Sequence, residues 1–183
     1  MSKLITASLE ALKKVIYNNK NFSIQRNLGF QLTCRFSFSK PVLLKEIEDF
    51  EAETELKLPE DYKFFLSLHN GMELYKDVEE SAPHWHIFGV DEILDALEKF
   101  PTPEHVYVIA KFSETLICVN SDYVKQGRKD YLFDQSIYTS ARDNGEPLNL
   151  SFELWLDRLL VSQGDQFWLW NGITPENLNK YFP

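Results

Sequence analysis

The tripeptide His84-Trp85-His86 comes nearest to a reactive constellation in this sequence. On a strand, residues two apart share a face, which places both imidazoles within reach of one metal ion. A hydrolytic zinc needs a third protein ligand, and the chain holds neither a His-Glu-x-x-His helix nor a spaced Cys/His partner; His69 and His105 stand elsewhere. The competing reading is a loop-to-strand junction with Trp85 buried and both imidazoles in solvent. Cys34 and Cys118 share neither a metal spacing nor a redox spacing and read as unbridged, buried or semi-buried thiols. There is no Gly-x-Ser-x-Gly elbow, and seven glycines supply no phosphate-binding loop. Carboxylates abound, but paired-carboxylate catalysis is defined by separation in space. No catalytic residue, no metal ligand and no cofactor is assigned, which points away from an enzyme.

Charge is the next constraint. Of the net −9, residues 1–40 carry seven basic side chains against Glu10 alone, so residues 41–183 hold −15. An acidic body of that size repels phosphate backbones and attracts basic partners, most strongly at low salt. Direct nucleic-acid binding is therefore not expected, and the basic N-terminal segment offers no stacking platform beyond its own core alternation. No run approaches the ~20 apolar residues of a membrane span, and MSKLITASLEALKK lacks a signal-peptide pattern. A cytoplasmic location without membrane association is expected.

The elements that would carry any surface follow from periodicity. SLEALKKVIYNN forms a helix with Leu9, Leu12, Val15 and Ile16 on one face and Thr6 or Ser8 as its cap. After a turn at Asn27 and Gly29, residues 30–38 alternate strictly, with Phe30, Leu32, Cys34, Phe36 and Phe38 inward, the pattern of a half-buried strand. Ser39 and Pro41 open a helix with Leu43, Ile47, Phe50 and Thr54 inward and Glu46, Glu48, Asp49, Glu51, Glu53 and Glu55 outward. LPEDYKFFLSLHNG is a core helix with Pro59 in its first turn and Asn70-Gly71 as its C-cap. Its only wet stripe is Glu60, Lys63, Ser67 and Asn70.

Beyond it come the pair Leu74-Tyr75, an acidic loop KDVEESAP, the strand-like HWHIFG and a helix capped by Asp91. Strands HVYVIA, TLICVN, YLFD and SIYTS follow, then a loop ARDNGEPLN and a helix capped by Ser151 and ended by Gly164. An aromatic tail with a helical turn from Thr174 closes the chain. Helices at the front and a run of strands with helices interposed predict a single α+β domain, a largely antiparallel mixed sheet packed against several helices.

The order of these elements resembles the SUKH superfamily of bacterial immunity proteins and fungal cell-wall regulators. The resemblance spans about residues 41–162 and is carried by Phe50-Glu51, Leu58-Pro59, Tyr62, Phe65-Leu66, Asn70-Gly71 and the closing Ser151-Phe152-x-x-Trp155-Leu156 helix. Glu55 and Met72 stand where relatives often have glycine. Residues 1–40 form an N-terminal helix-and-strand extension, and residues 163–183 an aromatic tail packed on the same domain.

The resemblance implies a non-catalytic binding module that neutralises a cognate polymorphic toxin, often a nuclease domain, with a regulatory or scaffolding adaptor as the alternative. A metal-dependent hydrolase built on His84 and His86 is the remaining one. The acidic body fits a basic protein toxin. Asp77, Glu79 and Glu80 of the loop after the core helix, with nearby Trp85, are the expected partner contacts, since nothing in the spacing of the three acids suggests structural pairing. Glu48 and Glu55 of the preceding helix are next. The oligomeric state is not legible.

Overall fold

The alternating strands assemble into one eight-stranded sheet in chain order, every neighbouring pair antiparallel. The computed structural model describes residues 2–19, 22–26, 29–140, 143, 145–174 and 176–177. The strands are β1 (Phe22–Gln25), β2 (Gln31–Phe38), β3 (Met72–Asp77), β4 (Trp85–Ile87), β5 (Val106–Phe112), β6 (Thr115–Asn120), β7 (Leu132–Ser136) and β8 (Glu146–Pro147). Helices α1 (Lys3–Asn18), α2 (Leu44–Thr54), α3 (Glu60–Leu66), α4 (Val90–Lys99), α5 (Ser121–Lys125) and α6 (Phe152–Val161) complete a single α+β domain. A 3-10 helix spans Phe167–Gly172.

The helix α3 is as buried as its composition demands. Tyr62, Phe65 and Leu66 are inaccessible to solvent; the Tyr62 and Phe65 rings meet Phe152 of α6, and Tyr62 Oη donates to Phe88 O at 2.6 Å. Asp61 joins the two helices by accepting from Tyr131 Oη (2.5 Å) and from Glu153 N (3.0 Å). The helix ends at Leu66, so Asn70 is not its cap. Asn70 Oδ1 instead accepts from Val90 N at 2.9 Å and caps α4 from outside, replacing the expected Asp91. Pro59 sits one position earlier than expected, at the N-cap.

The helix α1 is capped by Ser2, whose Oγ accepts from Ile5 N and donates to Glu153 Oε2 at 2.6 Å. Ser8 Oγ donates to Asp157 Oδ1 at 2.6 Å, so both serines fasten α1 to α6. Val15, expected inside, is exposed. Lys13 Nζ donates to His69 Nε2 at 2.6 Å, and His69 Nδ1 contacts Ser39 O. Burial, with Lys13 adding to it, holds that imidazole below its usual pKa.

Several expectations shift. Periodicity missed β1, α5 and β8. Phe30 lies outside the core, and Leu43 precedes α2 in solvent instead of lining its inner face. SIYTS gives β7 only its first residue, Ser136, and then turns. Asn27 of the predicted turn lies outside the described residues, as do Ala141, Arg142 and Asn144 of the loop and Pro175 and residues 178–183 of the tail. A turn does form at Thr174, whose O accepts from Asn177 N at 3.1 Å. Both cysteines are buried and free.

Glu55 closes α2 with φ +59°, the left-handed region that glycine adopts without steric cost. Replacing Glu55 by glycine is expected to raise stability by roughly 0.5 kcal/mol, relief of strain outweighing the looser unfolded chain, as read from urea denaturation.

Candidate interaction surfaces

Alternation along β2 and cross-strand register build a polar row over four strands. Ser37 pairs with Glu73, Glu73 with His86, and His86 with Lys111, so all four project from one face of the sheet. On the opposite face Trp85 meets Trp155 of α6, and α1 packs beside α6.

Glu73 is the centre of the row. Its Oε1 accepts from Lys76 Nζ (3.0 Å) and faces His84 Nε2 (3.2 Å), while Oε2 accepts from Ser37 Oγ (3.0 Å). Burial alone would raise its pKa, but the hydrogen bonds from Lys76, Ser37 and His84 outweigh it and hold the carboxyl at about 2. His86 Nε2 turns to Glu92 Oε1 of α4 at 2.8 Å. The two imidazoles are therefore each committed to a different carboxylate and are both half-buried instead of standing free in water. Among the described residues no group of three His, Cys, Asp or Glu is disposed to hold a metal ion. Ser37 is bonded to a carboxylate and not to an imidazole, so it forms no Ser–His pair with the two histidines of the row.

The depressed pKa of Glu73 has a pH signature. A carboxyl at 4.5 when unfolded and about 2 when folded adds stability that is complete above about pH 5 and is lost as pH falls through that interval. The denaturation midpoint of the native chain should therefore drop between pH 5 and pH 2.5 more steeply than that of Glu73→Gln. Parallel curves would show that the ion pairs do not bias folding.

Of the residues expected to meet a partner, two lie inside the fold. Asp77 ends β3 and is 3% exposed; its Oδ2 accepts from Ser81 Oγ (2.5 Å) and Ser81 N (3.0 Å), hydrogen bonds that also lower its pKa. The spacing Asp77-x-x-x-Ser81 is thus a structural pairing that closes the β3–β4 turn. Trp85 is wholly buried. Glu79 and Glu80 are exposed at the tip of that turn, Glu80 facing Arg35 at 3.1 Å. Glu48 and Glu55 are exposed on α2, a separate element.

Glu51, expected among the outward acids of α2, turns inward instead. Oε1 accepts from Leu58 N (2.9 Å) and pairs with Lys63 (2.8 Å), while Oε2 pairs with Lys57 (2.6 Å). The carboxylate ties α2 to the entry of α3, joining Phe50-Glu51 to Leu58-Pro59.

Glu73 and its row were not legible in MELYKD because a bulge breaks the strand's period there. Tyr75 has φ +58°, the β2–β3 register shifts between Arg35 and Ser37, and consecutive Leu74 and Tyr75 are both buried. Only the polar side of β2, with Arg35 and Ser37, signalled this face.

Among the described residues no helix is long and apolar enough to cross a membrane. Comparison with known sequences extends the picture. Residues 41–158 match the SMI1 / KNR4 family (SUKH-1). Over 184 aligned residues, 97% of each chain, the sequence is 29% identical to the "Uncharacterized protein YobM" of Bacillus subtilis (strain 168). It is 30% identical over 149 residues to that organism's "Uncharacterized protein YnaB", covering 80% of this chain and 93% of YnaB. The YobM match takes in most of the N-terminal extension and the tail, which the family match leaves out. The α2–α3 joint built on Glu51, Leu58 and Pro59, the buried ring cluster of α3 and α6 and the Asn70 cap of α4 all fall within the matched stretch, and the chain belongs to the SUKH-1 family.

Proposed function

We propose that this chain is a non-catalytic binding module, a cytoplasmic immunity protein that binds one cognate polymorphic toxin and blocks it stoichiometrically, the toxin being a basic domain of nuclease type. The observation that carries the reading is the surplus of unburied carboxylate on the body of the protein. Glu46, Glu48, Asp49 and Glu53 of α2 are exposed, as are Asp91, Asp95 and Glu98 of α4 and Glu79 and Glu80 of the β3–β4 turn. A nuclease surface must attract phosphate and so carries the opposite sign. Family membership supports a binding role.

The test is to read the adjoining reading frames for a large secreted protein with a toxin-like C-terminal domain and to assay that domain against this chain. Equimolar protein should abolish its activity, and undiminished toxicity at a molar excess would end the immunity reading. Glu79 and Glu80 are expected to steer the encounter. Reversing both to lysine should slow association about tenfold at low salt and flatten its salt dependence, with little change in melting, because an exposed pair such as Arg35–Glu80 contributes little to folding. Asp77 is excluded from this reversal because its carboxylate holds the turn.

A further inference from the structure

Two clefts flank the start of α2, and Val42 lines both. The larger, about 700 Å³, runs between the N-termini of α1 and α2 and the solvent stripe of α3, with Leu4, Val42, Ile47 and Phe64 supplying its apolar lining. The smaller, about 630 Å³, lies between the end of β2 and the start of α4. Beside them stand Leu43 and Leu44, 70% and 67% exposed.

Leu43 occupies the N-cap position of α2, where Ser, Thr, Asp or Asn would accept a hydrogen bond from the first turn and a leucine side chain has no atom to do so. Glu46 of the first turn accepts from Leu43 N at 2.8 Å and so supplies one half of a capping box, but the Leu43 side chain contributes nothing to it and leaves an isobutyl group in water. Two adjacent leucines so placed form an apolar ridge of the kind that anchors a protein interface.

The surroundings specify what the ridge meets. The first cleft presents Glu60, Asp61 and Glu153 against Lys3 and Lys63, with Lys63 shared between Glu60 and Glu51. The second presents Glu46, Asp91 and Glu92 against Lys40. Both clefts are thus net acidic, which selects basic surroundings on the other side.

We infer that the Leu43-Leu44 ridge is the anchor by which this chain holds its partner, seated in an apolar pocket of a protein whose rim is lined by Lys and Arg side chains that face the acidic clefts. The inference rests on the binding-module reading above and names the surface that reading would use.

The probe is the toxin-like C-terminal domain that the search of adjoining reading frames above identifies, made inactive, and its association and dissociation are measured with the full native chain and with variants. Leu43→Ser/Leu44→Lys should bind about a hundredfold more weakly, chiefly through faster dissociation. It should melt no lower than native, because serine supplies the missing cap. Leu43→Ser alone should weaken binding less, and it keeps the test open if the double variant folds poorly. Native binding retained within about threefold by both variants would overturn the ridge and leave the immunity reading standing. A native chain that neither binds nor neutralises the domain would overturn both. A native dimer that the double variant converts to monomer would make a second copy the occupant and overturn the partner assigned here.

Discussion

Replacing Trp85 by alanine is expected to remove about 4–6 kcal/mol of stability, a large part of what holds a domain of this size together. The indole is inaccessible to solvent and stacks on Phe112, with centroids 5.1 Å apart. It meets Trp155 of α6 and Trp168 of the 3-10 helix edge-on at 5.4 and 6.0 Å. Its Nε1 donates to Gly164 O at 2.8 Å, in the turn that reverses the chain after α6. Truncation therefore opens a cavity among three aromatic rings and strands a buried carbonyl. Gly164 cannot easily adjust: its φ is +82°, and a Cβ there would stand 2.5 Å from the Tyr75 ring. Urea denaturation and a melting temperature lowered by about 10–20 °C would register the loss. Trp85→Phe, which keeps a ring and loses only the hydrogen bond, should cost about 1–2 kcal/mol. An alanine variant within about 1 kcal/mol of native would mean that the tail does not close the core.

Glu51→Ala should cost about 2–4 kcal/mol although the residue sits on a helix face otherwise crowded with solvated acids. Three groups lose their acceptor together: Leu58 N, Lys63 Nζ and Lys57 Nζ. Lys63 weighs most among the cations, since its side chain is 16% exposed and its remaining partner, Glu60, is largely in water. Lys57, at 43% exposed, contributes little. Glu51→Gln keeps an acceptor for Leu58 N and should lose only part of this. Burial would raise the Glu51 pKa, but the hydrogen bonds from Lys57, Lys63 and Leu58 outweigh it and lower it. The contribution is therefore present above the ordinary carboxylate range and fades as pH falls through it. In contrast, Glu53→Ala on the same helix should change stability by less than about 0.5 kcal/mol. Equal effects at the two positions would refute the joint.

These contrasts mark how far the sequence by itself determined the protein. Period and punctuation placed the long elements: strict alternation fixed β2, apolar spacing with Ser151 and Gly164 fixed α6, and the scarcity of polar positions in α3 required it to be covered. Each is a local property, because burial of one face imposes its own repeat on the chain whatever lies across from it. The family phrase was legible for the same reason, being made of framework residues. Tertiary structure alone decided which polar side chains remain free. Glu51 and Glu53 stand in one acidic run of α2, yet Leu58 and Lys63 claim only the first. Asp77 and Glu79 are two apart in one acidic run, yet Ser81 folds back on the former and leaves the latter in solvent. The bulge at Tyr75 moved Glu73 under Ser37 and beside His86, pairings 36 and 13 positions apart that no periodicity encodes. A charged side chain's fate depends on the partner that the fold brings within about 3 Å; for Glu73 that partner comes from a distant segment whose register is set by the packing of apolar residues on the opposite face of the sheet.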